Sequence, residues 1–262
     1  MLMEIAPHEM NILASFVTYP LLSVEEVCTL HYQAGSASYV NKLLSGLVKK
    51  KLLVRPPRPH VSKPYFYYLS RRGVKFLTNN GLTATFTPYA YPSQIEHLQT
   101  TTALMMAIEK LPHSYPQFDL IDLKHDLTLK RELSGMIPDV LTTVHKGSSH
   151  ALLWWEVEIR KDQKQFRENK IRKLIRFLNR EYSGAYGEQL PTILLLTPVG
   201  QHKADVLKRW LEAELESTYE KDKAYLFRIA CVPKEKFDPA ILFFEKIWRI
   251  PFQEDSVWLF DR

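Results

Sequence analysis

Residues 151–159, Ala-Leu-Leu-Trp-Trp-Glu-Val-Glu-Ile, decide the fold of the larger part of this chain. Acidic and apolar side chains alternate over the second half of the segment, which is typical of a β-strand. With a period of two, Glu156 and Glu158 lie on one face, and Trp155, Val157 and Ile159 lie on the other. Taken alone, the two acids indicate a solvated strand face. Their neighbours in sequence favour a functional site.

A third acid precedes this strand. Pro138-Asp139 begins another strand-like segment, seventeen residues before Glu156. If the two strands are adjacent in the sheet, Asp139 and Glu156 converge and can share one divalent cation. Hard oxygen ligands suit Mg²⁺, which activates water and stabilises the leaving oxygen at a phosphodiester.

The predicted elements around these acids alternate between helices and strands. A helix is expected over residues 93–111, followed by strands at 118–129, 137–144 and 151–159. Next come a helix at 162–180, a strand at 191–197, a helix at 201–219 and a strand at 224–232. This αβββαβαβ order predicts an α/β or α+β domain with a mixed central sheet over residues 93–262.

Residues 1–80 predict a separate, smaller domain. Three helices are expected: residues 9–19, a helix that starts at the Ser23–Glu26 capping box, and a helix that starts at Ser36. Two strands, residues 52–55 and 65–69, flank a proline-rich loop. This is the order of a winged helix-turn-helix domain, with residues 81–92 as a linker. Such a domain places a helix in the major groove of duplex DNA, although a winged fold can also pair proteins.

The excess positive charge lies in this first segment. Residues 1–80 hold ten of the 35 Lys and Arg side chains but only four of the 29 Asp and Glu, so they account for the whole net charge of +6. The asymmetry indicates a basic module that binds double-stranded DNA, joined to a neutral body. Alternatively, the run Lys49–Lys51 is ordinary solvated surface. The residues predicted to contact DNA are Ser36, Ser38, Tyr39, Lys42, Lys49, Arg55, Arg58 and Lys63.

Composition excludes several other classes of protein. An apolar content of 45% and a charged content of 24% exclude disordered and collagen-like chains. Two cysteines, Cys28 and Cys231, are too few for a disulfide framework or a four-thiolate zinc site, and they favour a cytoplasmic location. No apolar stretch is long enough to cross a bilayer, so we expect no membrane partner.

The combination of Pro138-Asp139 with Glu156-x-Glu158 in an αβββαβ order resembles the PD-(D/E)xK nuclease superfamily, which has the restriction-endonuclease-like fold. The resemblance implies that Asp139 and Glu156 bind Mg²⁺, and that Glu109 or Glu96 on the preceding helix is an accessory acid. Over nearly its whole length, the chain also resembles the replication-relaxation proteins of plasmids and other mobile elements. That resemblance implies a role in replication, mobilisation or transposition.

One position departs from the superfamily pattern. The motif lysine falls at Glu158, which has the opposite charge. The resemblance implies that a basic side chain of the next helix replaces it, or that Gln163 positions the water. The lysines that qualify are Lys161, Lys170 and Lys173, and the predicted catalytic set is Asp139, Glu156, Glu158 and Lys170.

The leading hypothesis is a DNA-binding protein of a mobile element whose nuclease-like domain contacts or cleaves the DNA backbone. If no lysine reaches the metal, the domain is degenerate and the chain is a non-enzymatic regulator of transcription or replication. A third hypothesis is a subunit of a larger transposition or restriction complex, docked through the aromatic residues between 243 and 260. Packing in the core is the simpler explanation of those aromatic residues.

Overall fold

The chain divides into two units, Met1–Thr102 and Ala103–Arg262. The structure, a computed structural model, describes residues 5–33, 35–57, 64–84, 86, 92–133, 135–159 and 170–260. In these ranges, no helix is both long enough and apolar enough to span a membrane.

The first unit contains the three helices and two strands in their predicted order, and it also contains a short first strand and a fourth helix. Its helices are α1 (Pro7–Thr18), α2 (Val24–His31), α3 (Ala37–Lys49) and α4 (Arg71–Asn79). Its strands are β1 (Leu22–Ser23), β2 (Leu53–Val54) and β3 (Phe66–Leu69), paired antiparallel in the order β1-β3-β2. The sequence did not predict β1, which is only two residues long.

Local sequence explains where α2 and α3 lie. The Ser23 hydroxyl accepts a hydrogen bond from the Glu26 N–H (3.2 Å), and the Glu26 carboxylate accepts one from the Ser23 N–H (2.6 Å). This capping box starts α2 at the predicted residue. In α3, Val40, Leu44 and Leu47 are fully buried. The opposite face of the helix therefore remains exposed.

The next helix, α5 (Pro92–Glu109), begins one residue before and ends two residues before the helix predicted at 93–111. Its early residues Ile95 and Leu98 form a small core with Leu21 and Phe66 of the first unit. The two units divide within this helix, at Thr102, later than the start of the second domain predicted at residue 93.

The second unit contains a seven-stranded mixed sheet in the order β10-β9-β8-β7-β6-β5-β4. Its strands are β4 (Phe118–His125), β5 (Val140–Lys146), β6 (Ser149–Val157), β7 (Thr192–Thr197), β8 (Phe227–Cys231), β9 (Trp248–Arg249) and β10 (Ser256–Val257). Strands β6, β7 and β8 are parallel, and the other pairs are antiparallel. The predicted mixed α and β architecture is thus confirmed.

Helices and short helical turns connect these strands. The helices are α6 (Leu111–Ser114), α7 (Asp126–Glu132), α8 (Arg172–Arg180), α9 (Tyr182–Tyr186), α10 (Gln201–Ser217) and α11 (Pro239–Phe244). Two 3₁₀ turns cover Lys221–Leu226 and Lys234–Lys236. The predicted helix at 162–180 is described only from residue 170 onward, since residues 160–169 lie outside the described residues.

One strand prediction is wrong in its extent. Residues 118–129 were expected to form one strand, but β4 ends at His125 and α7 begins at Asp126. The His125 ring nitrogen Nδ1 accepts a hydrogen bond from the Leu127 N–H (3.0 Å) and so caps the new helix. An ion pair between Asp126 and Lys130, one helical turn apart, supports its first turn (2.6 Å).

The two tryptophans of β6 pack on opposite faces of the sheet. Trp154 contacts Phe177 and two tyrosines of the α8–α9 side, whereas Trp155 contacts Phe243 and Trp248. Most of the aromatic C-terminal side chains are thus part of the core. The exceptions are Phe252 and Trp258, which are 41% and 45% exposed.

Candidate functional site

Asp139 and Glu156 lie opposite each other on two adjacent antiparallel strands. Val140 pairs with Trp155, which places the residue before β5 next to Glu156 of β6. The Asp139 N–H donates a hydrogen bond to the Trp155 carbonyl (3.0 Å). One carboxylate oxygen of Asp139, Oδ2, accepts a hydrogen bond from the Val157 N–H (2.7 Å). The backbone of β6 therefore fixes the position of the Asp139 carboxylate.

The ammonium group of Lys170 contacts both carboxylates. Its Nζ lies 3.7 Å from Asp139 Oδ2 and forms an ion pair with Glu156 Oε2. Lys170 comes two residues before α8, and the structure thus brings one of the predicted lysines to the two acids. Lys173 is exposed on α8, and Lys161 and Gln163 lie outside the described residues.

Burial determines the electrostatics of this site. Glu156 is 1% exposed, and burial raises the pKa of its carboxyl group from 4.5 to about 7. The neighbouring charge of Lys170 opposes this increase, and that of Asp139 adds to it. Burial also acts to lower the pKa of Lys170, but the charges of Asp139 and Glu156 outweigh it and raise that pKa. Lys170 is therefore an ammonium ion at neutral pH.

Glu158 lies on the same face of the sheet as Glu156. Its side chain is 1% exposed, and its backbone N–H donates a hydrogen bond to the Leu196 carbonyl of β7 (2.9 Å). The negative charge of Glu158 adds to the increase in the pKa of Lys170. At the motif position, an acid thus helps to keep the lysine that precedes α8 charged.

The predicted accessory acids lie at exposed positions of α5. Glu109 is exposed in the last turn of α5, and Glu96 is exposed near its start. Within the part of the chain that the structure describes, no group of three or more His, Cys, Asp or Glu side chains is arranged to hold a metal ion. Glu109 is therefore not brought into an ion site with Asp139 and Glu156.

Two residues that the sequence analysis did not select lie next to the carboxylates. The Trp154 indole N–H donates a hydrogen bond to Glu156 Oε1 (2.8 Å). The Asp126 N–H donates one to the Asp139 carbonyl (3.1 Å). The period of two on β6 could have identified Trp154, because it places residues 154 and 156 on one face. Asp126 was not selected because the sequence analysis placed it inside a strand, whereas it is the first residue of α7.

The donor set fits a hard divalent cation. Asp139 Oδ2 and Glu156 Oε2 both lie within ion-pair distance of the same nitrogen, so they can bind one ion. Mg²⁺ takes one or two protein carboxylates and completes its coordination with water and substrate phosphate. Asp139 and Glu156 are the residues that would hold such an ion.

The first unit exposes most of the residues predicted to contact DNA. Ser36 is half-buried at the start of α3, and Arg55 lies over the ring of Tyr65 (4.5 Å to its centroid). Arg58 and Lys63 lie outside the described residues. The side chains of this set that are exposed are Ser38, Tyr39, Lys42, Lys49 and Arg55.

Comparisons with known proteins give a distant structural neighbour. No family model matches the sequence, so the resemblance to replication-relaxation proteins is not supported by a family match, and no curated protein matches either. Among solved structures, the chain is similar to restriction endonuclease FokI bound to DNA, with 12% identity and a TM-score of 0.28. The match covers 79% of this chain and 41% of that chain, so this chain spans about two fifths of the length of its neighbour.

Proposed function

We propose that this chain binds duplex DNA through its first unit and cleaves the phosphodiester backbone at Asp139, Glu156 and Lys170. One observation carries the proposal: two carboxylates of adjacent strands and one ammonium group meet at the carboxyl end of β6. Such a set is what the PD-(D/E)xK resemblance implies, with the lysine supplied from the segment that leads into α8. The same resemblance suggests the replication, mobilisation or transposition of a mobile element as its setting.

Each of the three residues has a separate role. Asp139 and Glu156 would hold Mg²⁺, which when bound supplies charge stabilisation at the phosphate and a more acidic water. Lys170, held by both carboxylates, would orient the attacking water and donate hydrogen bonds to the developing negative charge. Glu158 would add a smaller contribution to those of Asp139 and Glu156, which keep the Lys170 ammonium charged.

The first unit would act as a winged helix. Three helices, with the short strand β1 between the first two, precede the strands β2 and β3 of the small antiparallel sheet. Helix α3 has a buried apolar side and an exposed side with Lys42 and Lys49. Exposed lysines on a helix of this kind neutralise phosphates beside the major groove and release counterions. Arg55, held over Tyr65, would add a phosphate contact where the loop after β2 begins.

A nicking assay tests the enzymatic part. Supercoiled plasmid incubated with the full chain and Mg²⁺ or Mn²⁺ should be nicked, and Asp139→Asn, Glu156→Gln and Lys170→Met should each slow nicking by roughly a hundredfold or more. Lys173→Ala is the matched control, since it removes a nearby exposed lysine. If Lys173→Ala loses as much activity as Lys170→Met, the assignment of Lys170 is wrong.

A non-enzymatic regulator is the second candidate, and one observation favours it. Lys170 already offsets one of the two negative charges of Asp139 and Glu156, which weakens their attraction for a divalent cation. In that case the unmodified chain would bind duplex DNA but nick it with neither metal.

A further inference from the structure

The two adjacent tryptophans of β6 differ in what their indole N–H groups do. Both side chains are fully buried. Trp154 Nε1 donates a hydrogen bond to Glu156 Oε1 (2.8 Å), whereas Trp155 Nε1 has no hydrogen-bond partner among the described residues. Packing in the core explains why both indoles are buried, but it does not explain why only the Trp154 N–H is hydrogen-bonded to the carboxylate of a proposed metal ligand.

We infer that Trp154 is a positioning residue that fixes the Glu156 carboxylate for metal binding. The inference rests on the proposed function, because it assigns Trp154 to the same site. Trp154 contacts neither the DNA nor the metal in this assignment and acts only through Glu156.

The two carboxylate oxygens of Glu156 have different partners. Oε1 accepts the hydrogen bond from Trp154, and Oε2 forms the ion pair with Lys170, which also contacts Asp139. A carboxylate held at one oxygen cannot rotate freely about its last bond. Oε2 is therefore kept pointing at the position that Asp139 and Lys170 share, and a cation there finds its ligand already oriented.

The chemistry of the indole suits this role. An indole N–H only donates a hydrogen bond, so it favours the ionised form of a carboxylate, which is the form that binds a metal. A Ser or Thr hydroxyl or a water at the same place could also accept a hydrogen bond from the protonated carboxyl group and so stabilise the neutral acid. The hydrogen bond from Trp154 acts in the same direction as Lys170, against the burial that favours the neutral form of Glu156.

Aromatic packing holds the indole at this position. The Trp154 ring lies 5.2 Å from that of Tyr186 and 6.0 Å from that of Phe177, measured between centroids. The Tyr186 hydroxyl donates a hydrogen bond to the Met136 carbonyl (2.9 Å), which ties this cluster to the segment just before Asp139. The indole is thus held by packing on several sides.

The test compares Trp154→Phe with Trp155→Phe in the full chain. Both changes shorten a fully buried aromatic side chain of the same strand, but only the first removes a hydrogen bond to Glu156. Mn²⁺ affinity, measured by electron paramagnetic resonance, should fall about 10- to 100-fold in Trp154→Phe. In Trp155→Phe it should stay within about twofold, because that indole makes no hydrogen bond to the site. Equal affinities in the two variants would overturn the inference and leave the proposed function intact.

A second measurement does not depend on the folding of a variant. In the unmodified chain labelled with ¹⁵N, the indole N–H signal of Trp154 should shift when Mg²⁺ is added, while that of Trp155 stays in place. A purely structural Trp154 would show no such selectivity, and an unmoved Trp154 signal in a chain that binds Mn²⁺ overturns the inference. Failure of the unmodified chain to bind Mn²⁺ would instead overturn the proposed function, and the inference with it.

Discussion

At the scale of single residues, the site depends on a balance of charge. Asp139 and Glu156 are carboxylates at the end of adjacent strands, and Glu156 has almost no contact with solvent. Two such charges repel each other and lose hydration, which costs several kcal/mol unless a cation compensates. Lys170 compensates them in the structure as it stands, and a divalent cation would have to share or replace that role.

The raised pKa of Glu156 predicts a pH dependence of stability. The group titrates near 4.5 as a free side chain and near 7 in the fold. Because the pKa of Glu156 is raised in the folded chain, its protonated carboxyl group stabilises the fold relative to the ionised form. This contribution to the free energy of unfolding is fully present below about pH 4.5 and is lost as the pH rises through about 7. Relative to Glu156→Gln, which does not titrate, the free energy of unfolding of the unmodified chain should fall by on the order of 3 kcal/mol between pH 4.5 and pH 8.

Urea denaturation of both chains in the presence of a chelator measures this difference. Titrating groups distant from the site contribute equally to the two chains and cancel to first order, so the difference reports on Glu156 together with Asp139 and Lys170, the charged groups beside it. A difference that is flat across this pH range would contradict the raised pKa.

Sequence reasoning predicted some of these residues and not others, for physical reasons. Strand alternation and a short spacing were enough to select Asp139 and Glu156, because adjacent antiparallel strands bring such residues together. Lys170 was chosen for the predicted catalytic set from three candidates, with Lys161 and Lys173. Helix periodicity could not separate the three, because it does not say how the helix is placed on the sheet. Trp154 looked like an ordinary core residue, because most buried tryptophans are.

At the scale of elements, α4 packs unusually close to the residue before β2. Gly73 is buried in the first turn of α4, and a Cβ added there would lie 2.1 Å from the Leu52 carbonyl oxygen. Because this oxygen belongs to the backbone, it cannot simply rotate away. Gly46, inside α3, has no atom within 4 Å of an added Cβ.

Alanine at these two glycines should have opposite effects. Gly73→Ala should lower the free energy of unfolding by roughly 1–3 kcal/mol through overpacking. Gly46→Ala should raise it by about 0.5–1 kcal/mol, because alanine favours the helical backbone. Urea denaturation followed by circular dichroism measures both, and a Gly73→Ala variant as stable as the unmodified chain would show that α4 does not approach Leu52 this closely.

Element boundaries were predicted least well where a side chain overrides the local pattern. The run from Phe118 to Leu129 was predicted as one strand, because apolar residues recur along its whole length without a glycine or proline to interrupt them. The imidazole of His125 ends that strand by accepting a hydrogen bond from the Leu127 N–H. The N-cap position of helices favours Ser, Thr, Asp and Asn, and histidine is rare there. This preference therefore could not reveal that a helix begins after His125.

At the scale of the whole molecule, the uneven charge of the sequence predicts how DNA affinity should depend on salt. Lys42→Ala should weaken binding to a DNA duplex and lower the slope of log affinity against log salt by about 0.9, because one phosphate is no longer neutralised. Lys75→Ala removes the same charge from an exposed position of α4 and is the control.

Titration by fluorescence anisotropy at several salt concentrations measures these slopes. An unchanged slope in Lys42→Ala would remove α3 from the proposed interface. Equal changes in both variants would assign the effect to overall charge and not to a contact of α3.

The order of the seven strands could not be predicted from the sequence. The sequence predicted the central strands, and the convergence of Asp139 with Glu156 required β5 and β6 to be adjacent. No local pattern predicts that adjacency, or that β7 and β8 extend the sheet beside β6. The two-residue strands β9 and β10 are shorter than any periodic signal. The presence of a mixed sheet could therefore be predicted from the sequence, but the order of its strands could not.

The position of Ile95 and Leu98 in the core of the first unit bears on how the chain can be cut into fragments. An N-terminal piece that stops at residue 80 or 92 would leave Leu21 and Phe66 facing water and should precipitate or misfold when expressed by itself. A piece that runs through residue 102 would retain that apolar cover. Recombinant work on the DNA-binding half is therefore best started from a truncation inside the long helix and not ahead of it.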